Sequence, residues 1–397
     1  MIVEKKITEL LPGHFVVDIV EQHGSFQLKN KGHVKNDAVI HHLTSRGVLS
    51  LLVDTDKTLT ISHIAESGDI VFDASKKDTL EKQPLILEIT KAKELFSQSK
   101  RVQKQLLQDI LMGEDIDVTP VKDITNQAID AIFKNPDALA CIINIRHKDE
   151  YLLEHSVSVS ILIAIFAKHL KIDKKIIEDI SVGAFLHDVG KVKVPDEILH
   201  KPSRLTEAEF EIMKTHASHS IDIISKAKGI SDISLEVAAL HHEKLNGTGY
   251  PYQLKADNIS QYGRMITICD IFDALTADRV YKDGYCHVKA FNILRKLAEQ
   301  GELETILVDQ FIRCMGVYPV GSLVELSSHR LAIVEQRNAK DPIRPKVRSF
   351  YNVDYRHYTM AEDIDLSSHD EFIVKSVRAN EFNLDMNRIV EFLMMQG

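Results

Sequence analysis

Apolar and polar positions change rhythm twice along the chain. Up to about residue 55 they alternate in short runs, Phe15-Val16-Val17-Asp18-Ile19-Val20 and Val48-Leu49-Ser50-Leu51-Leu52-Val53, set apart by Gly13, Gly24 and Gly47. This period of two predicts strands, with one helix expected near Asp37 to Arg46. Residues 55–83 are polar and weakly periodic, as a linker would be. From Pro84 the rhythm becomes helical. Ala92, Leu95, Phe96, Val102, Leu106 and Ile110 recur at three- and four-residue steps, the stripe of a long amphipathic helix that could connect domains or form a homodimer seam. Lys100, Arg101 and Lys104 on its other side read as a solvated face. From Pro120 to about Met315 nearly every segment is helix-like. Asp173 can cap one helix, Thr206 with Glu209 forms a capping box, and Pro195, Pro202, Gly229 and Gly247-Thr248-Gly249-Tyr250-Pro251 mark breaks. After Tyr318-Pro319 come strand-like runs at Leu323 to Leu326, Leu331 to Val334 and Val347 to Tyr351, then a last helix near Leu384 to Met395. The expected fold class is mostly α: a helical bundle with a small β-rich N-terminal domain and a short β-containing C-terminal extension. The expected divisions are a small domain over 1–55, a linker and connecting helix over 56–119, a helical domain over 120–320, and strands with a helix over 321–397.

Composition narrows the chemistry. A chain of 397 residues, at about 150 per domain, suggests two or three domains. Its 49 Lys and Arg against 58 Asp and Glu leave a net charge of −9, so no bulk positive field is present to hold a long nucleic acid. The longest apolar stretch, Ile161 to Ala167, falls far short of the roughly 20 residues of a membrane span. The opening MIVEKKITELLPG carries Glu4 and lacks an apolar core, so neither a signal peptide nor a membrane span is expected and the cytoplasm is the expected compartment. Cys141, Cys269, Cys286 and Cys314 are far apart and form no C-x-x-C pair, which predicts reduced, buried thiols.

The unusual item is 19 histidines with no tryptophan. In the helical region stand His155, His187-Asp188, His216, His241-His242 and Asp270, each on or at the end of a predicted helix. Imidazole nitrogens with carboxylate oxygens suit first-row metals such as Fe, Mn, Ni or Zn, and seven candidates exceed what one tetrahedral site takes. Each has a plainer reading. A lone helical histidine such as His155 is ordinarily a satisfied core or surface residue, and His241 and His242 point about 100° apart on a helix, so both serve one centre only at a helix end. Asp270 lies among apolar Ile266, Ile268 and Ile271, and burying it unpaired would cost several kcal/mol. Asp273, three residues on, shares its face and could orient a ligand imidazole or make a simple structural hydrogen bond. It is the set together that points to a metal centre.

FLHDVGK, HHEKLNGTGYP and CDIFDALTADRVY closely resemble the HD-GYP domain, a helical branch of the HD phosphohydrolase superfamily, over roughly residues 140–330. LLPGHFVVD and GVLSLLVDTDKT resemble the small N-terminal domain of unknown function often found ahead of HD-GYP domains in bacteria, a surface on which protein partners could dock. The resemblance implies metal-dependent hydrolysis of cyclic di-GMP, a bacterial second messenger, with pGpG or GMP as the end product left open. It implies His155, His187, Asp188, His216, His241, His242 and Asp270 as ligands of two divalent ions, Fe or Mn before Ni or Zn, with Asp188 the bridge. Lys191 corresponds to the lysine near the scissile phosphate, Tyr250 to the GYP signature, and Arg279 with Lys282 to residues that hold the phosphates. For Asp278 beside them a helix-anchoring salt bridge is the plain reading. Two positions depart from the pattern. A glutamate that in some members helps hold a third metal is replaced by Tyr151, with Glu154 on the wrong face, so two metals are expected. Around His216, Ala217 and Ser220 stand where proline and glycine are common. The alternatives are a sensor that binds cyclic di-GMP without cutting it, and an HD hydrolase of another cyclic dinucleotide such as cyclic GMP-AMP.

Overall fold

The computed structural model describes residues 2–10, 14–23, 32–34, 40, 43–44, 46–55, 82–144, 151–278, 284–338 and 340–396. The chain divides into two compact units, Met1–Asp78 and Thr79–Gly397. The helix expected near Asp37 to Arg46 and the linker after residue 55 lie largely outside the described residues, as do Arg279 and Lys282.

The first unit holds β1 (Ile2–Lys6), β2 (Phe15–Gln22), β3 (Gly32–His33) and β4 (Val48–Asp54) in an antiparallel sheet ordered β1-β4-β2-β3. Alternation along β4 drives its central place: Val48, Leu51 and Val53 are buried with Val16, Ile7 and Leu10. Ser50, also buried there, is satisfied by donating to Glu4 Oε1 at 2.6 Å.

The second unit opens with α1 (Lys82–Met112), α2 (Thr119–Lys134) and α3 (Pro136–Ile143). The apolar stripe of α1, including Ala92, Phe96, Leu106 and Ile110, is buried in the same core as the helices that follow, so that face is spent within the chain rather than on a dimer seam. The solvated-face expectation for Lys100 is corrected: its ammonium reaches the buried Glu154 carboxylate at 3.0 Å, because a carboxylate held inside the bundle needs a cation partner. Arg101 and Lys104 are exposed as expected.

The bundle continues with α4 (Tyr151–His169), α5 (Lys174–Leu186), the short α6 (Asp196–Leu199), α7 (Glu207–Ser225), α8 (Asp232–Leu240), α9 (Gln261–Thr276), α10 (His287–Glu299) and α11 (Thr305–Met315). Asp173 caps α5 by accepting from Lys175 N, and Thr206 with Glu209 closes the capping box of α7. Among the described residues no helix is long and apolar enough to cross a membrane. Phe166, Phe272 and Phe311 meet edge-on in the core, and Phe272 stacks on Phe291.

Beyond α11 lies a five-stranded antiparallel sheet ordered β8-β7-β6-β5-β9, from β5 (Leu323–Leu326), β6 (Arg330–Gln336), β7 (Lys346–Asn352), β8 (His357–Asp365) and β9 (Ile373–Val377), followed by α12 (Met386–Gln396). Its central strands are apolar on both faces. Leu331, Ile333 and Phe350 pack with Ile389 and Leu393 of α12, and Ala332, Val334 and Val347 pack on the other side. The two edge strands bury little, which is why the apolar pattern points only to β5, β6 and β7.

Candidate metal centre

Five helices deliver the site. His155 lies in the first turns of α4; His187 closes α5 as its C-cap, with Asp188 starting a 3-10 turn, Val189–Lys193; His216 is inside α7; His241 and His242 follow α8; Asp270 and Asp273 sit on α9. Gly190 makes the tight junction between the 3-10 turn and α7. A Cβ there would lie 2.1 Å from His216 O, and its N–H donates to Ser220 Oγ at 2.8 Å. Ser220, a departure from the family's usual glycine, thus satisfies a buried donor beside the His-Asp pair.

The rings are aimed by their own helices. His187, His216 and His241 each donate Nδ1–H to the carbonyl three residues earlier, Ala184, Met213 and Ala238, all at 2.6 Å. Because a carbonyl only accepts, the proton is fixed on Nδ1 and each Nε2 is a bare lone pair. His155 Nδ1 donates to Asp273 Oδ2 at 2.7 Å, and Asp273 is fully buried. His241, the C-cap of α8, and His242 stand at the end of that helix, and their ring centroids lie 4.0 Å apart.

Four of the candidate imidazoles converge on Asp188. Its Oδ2 is 3.5 Å from His155 Nε2 and 3.4 Å from His187 Nε2. Its Oδ1 is 3.4 Å from His216 Nε2 and 4.0 Å from His241 Nε2. Asp270 Oδ1 approaches His155 Nε2 at 3.0 Å and His187 Nε2 at 3.9 Å, while its Oδ2 lies 3.5 Å from His242 Nδ1. Two groups able to hold an ion emerge, His155 with His187 and Asp188, and His216 with His241 and His242.

The donor set fits cations. The bare Nε2 atoms of His216 and His241 face each other at 3.3 Å, with His242 Nε2 3.1 Å from His216 Nε2. Like lone pairs at such range repel unless a proton or a metal ion lies among them. His187 Nε2 and Asp188 Oδ1 are buried without any hydrogen-bond partner, an expensive state for a polar atom that a coordinate bond would relieve.

Electrostatics divides the same way. Burial holds His216 and His241 below the ordinary imidazole value, and it pushes His242 down to about 3 despite Asp270; all three are neutral, as metal binding requires. For His155 burial alone would also lower the value, but hydrogen bonds to Asp270 and Asp273 outweigh it and raise it to about 9. Asp188 remains ionised, well below the carboxylate range: burial opposes this, and Lys191, His187 and His216 overcome it. Asp270 is likewise held low, burial being outweighed by His155 and His242.

Lys191 donates to Asp188 Oδ2 and borders the centre. The Tyr250 ring lies 4.5 Å from the His242 ring, centroid to centroid. Asp278 forms an ion pair with Arg378. Glu154 is engaged by Lys100 at 3.0 Å. One organising residue stands inside HHEKLNGTGYP without a role assigned to it from the sequence: Glu243, nearly fully buried, accepts from Tyr252 N and Gln253 N with Oε1 and from Leu254 N with Oε2. It staples the Gly247 to Leu254 loop against the two histidines before it. Gly249 lets that loop close, since a Cβ there would lie 2.4 Å from Lys244 N.

Comparison with known proteins agrees with this geometry. Residues 140–304 match the HD domain family, and residues 3–121 match a domain of unknown function, DUF3391. A protein named cyclic di-GMP phosphodiesterase PA4108, from Pseudomonas aeruginosa, is 33% identical over 266 residues, 67% of this chain and 64% of that one. From Vibrio cholerae, a 3'3'-cGAMP-specific phosphodiesterase 2 is 48% identical over 101 residues, 25% of this chain and 19% of its own. A cyclic di-GMP phosphodiesterase of the same organism is 44% identical over 124 residues, 30% and 25% of the two chains. The matches span less than two thirds of the length of each of these relatives. The histidine and aspartate side chains gathered between helices lie within residues 140–304, the stretch that matches the HD domain family, and the match to DUF3391 lies ahead of it.

Proposed function

We propose that the protein is a metal-dependent phosphodiesterase that hydrolyses cyclic di-GMP in the bacterial cytoplasm, with pGpG as the first product and GMP the alternative end product. The observation that carries this reading is the division of four imidazoles by one carboxylate: each oxygen of Asp188 faces a different pair. In this reading His155, His187, Asp188 and Asp270 hold one divalent ion, and Asp188, His216, His241 and His242 hold a second, Fe or Mn before Ni or Zn. When bound, such a pair supplies an activated water and neutralises charge on the phosphodiester. Lys191, already in contact with Asp188, offers its ammonium to the phosphoryl oxygens as they gain charge. Tyr250 forms a wall for the dinucleotide, and Arg279 with Lys282, by family resemblance, grip its phosphates. We take residues 120–320 as the catalytic domain, 1–55 as the small N-terminal domain and 321–397 as an extension. Four cysteines without a disulfide suit a reducing compartment.

The test is metal analysis of protein purified without chelator, coupled to product identification with cyclic di-GMP. Stoichiometric metal, turnover, and loss of both in the H187A/D188A variant are expected. Tight binding of cyclic di-GMP with no product after loading with Fe(II) or Mn(II) would favour a sensor instead. A second reading, cyclic GMP-AMP as the preferred substrate, is favoured by the 48% identity to the cGAMP-specific relative. Both dinucleotides competing in one reaction decide between them.

A further inference from the structure

The backbone that leaves the metal centre at the end of α9 is held by a residue from far outside the HD domain. Ala277 and Gly284 line a cavity of 280 Å³ whose wall also contains His242 and Asp270. The two sides of this strip are tied together at their base: Tyr285 N donates to Leu275 O at 2.7 Å, and Gly284 N donates to Asp278 Oδ1 at 2.9 Å. Arg378, just after β9, completes the tie. Its Nη1 donates to Thr276 O at 3.2 Å and to Tyr285 O at 3.4 Å, and its Nη2 pairs with Asp278. One planar guanidinium therefore joins the outgoing end of the strip to its returning end, a task that needs several donors in fixed directions.

We propose that Arg378 is a positioning residue for substrate binding: it fixes the cavity wall formed by Ala277 and Gly284 opposite the metal ligands, and so makes the C-terminal sheet part of the apparatus that receives the dinucleotide. This rests on the functional reading above. A guanidinium that merely fastened the sheet to the bundle would need only one of these acceptors; gripping the carbonyls of Thr276 and Tyr285 together holds the backbone beside Ala277 and beside Gly284 at a set separation. A metal ligand on α9, Asp270, lies one and a half turns before Thr276 on the same helix, so the metal centre stays in place when the strip shifts. The consequence falls on binding.

The experiment uses the full-length, metal-loaded protein with the substitutions Arg378→Met, Arg378→Lys and Asp278→Asn, and measures KM and kcat for cyclic di-GMP, Kd for the same dinucleotide, metal content and Tm. R378M and D278N are each expected to raise KM about tenfold while kcat stays within about twofold and metal content is unchanged. The double variant should show less than the two single effects combined, since the Arg378–Asp278 pair is common to both. R378K, which keeps the charge and loses the fork, should fall between. A lowered Tm with unchanged KM and Kd in R378M and D278N would overturn the proposal and leave Arg378 as a fastener. If R378M fails to fold, D278N answers the same question without touching the sheet. Absence of turnover in the unsubstituted protein would sink the functional reading instead, and the clamp is then judged on Kd.

Discussion

Replacing Asp273 by Asn tests how the metal centre is built. Asp273 is fully buried and stands behind the ligands rather than among them, accepting the 2.7 Å hydrogen bond from His155 Nδ1. The strength of that support can be gauged from the imidazole itself. Against the opposing effect of burial, Asp270 and Asp273 raise His155 from 6.5 to about 9, a stabilisation of its cationic form by roughly 3 kcal/mol. Asp273 supplies part of that stabilisation, on the order of a factor of ten. The attraction felt by a proton on this ring is felt by a metal ion bonded to it, and outer partners of metal ligands typically carry about 10- to 100-fold in affinity. Asn is nearly isosteric and its oxygen still accepts from Nδ1, so the ring stays aimed and only the charge is lost. The assay is chelator competition with Fe(II) or Mn(II), followed at several pH values. D273N is expected to weaken metal binding about tenfold or more while Tm of the metal-free protein changes little. Uptake by the native protein must also displace a proton from His155, so affinity should climb with pH and level off near 9; in D273N the bend moves to lower pH. Unchanged affinity and an unmoved bend in D273N would refute the reasoning.

Three further outcomes are expected. In the metal-free protein His216, His241 and His242 have depressed values and stay neutral in the folded state, whereas the unfolded chain binds protons near pH 6.5. Stability should therefore be present above about pH 6.5 and fall on acidification with a slope of up to three protons, about 4 kcal/mol per pH unit, as read by urea unfolding; a flat profile between about pH 6.5 and 5 counts against buried neutral rings. Lys191→Ala should lower kcat about 100-fold or more with metal content retained, and a loss of metal instead would mean that Lys191 serves only to hold Asp188. Ser220→Ala strands the buried Gly190 N–H and should cost about 1–3 kcal/mol in unfolding free energy; a neutral result would show that the His-Asp turn has another way to satisfy that donor.

Much of the fold is legible in the sequence for a physical reason. The strand rhythm of β2 and β4, the capping box at Thr206 and the stop at Gly247 to Pro251 are local signals, and local propensity carries them. The seven metal candidates are legible because polar side chains embedded in apolar helices are costly unless employed. What escapes depends on partners distant in the chain. Glu243 looks like any acid after two histidines until Tyr252, Gln253 and Leu254 turn their N–H groups onto it. Lys100 looks solvated until Glu154, 54 positions on, is buried beside it. The edge strands β8 and β9 present few apolar residues, and their pairing comes from the ladder to β7 and β5.

The amino-acid order by itself determined that the chain would be a helical bundle bearing imidazoles and carboxylates at helix ends, because hydrophobic period and capping act over a few residues. Only the tertiary structure decided that Asp188 would stand between two sets of histidines, that three Nδ1–H groups would be spent on helix carbonyls so that bare nitrogens converge, and that Arg378 would hold the strip beside Asp270. Directions of side chains in space are set by how whole helices pack, and no stretch of sequence contains that packing on its own.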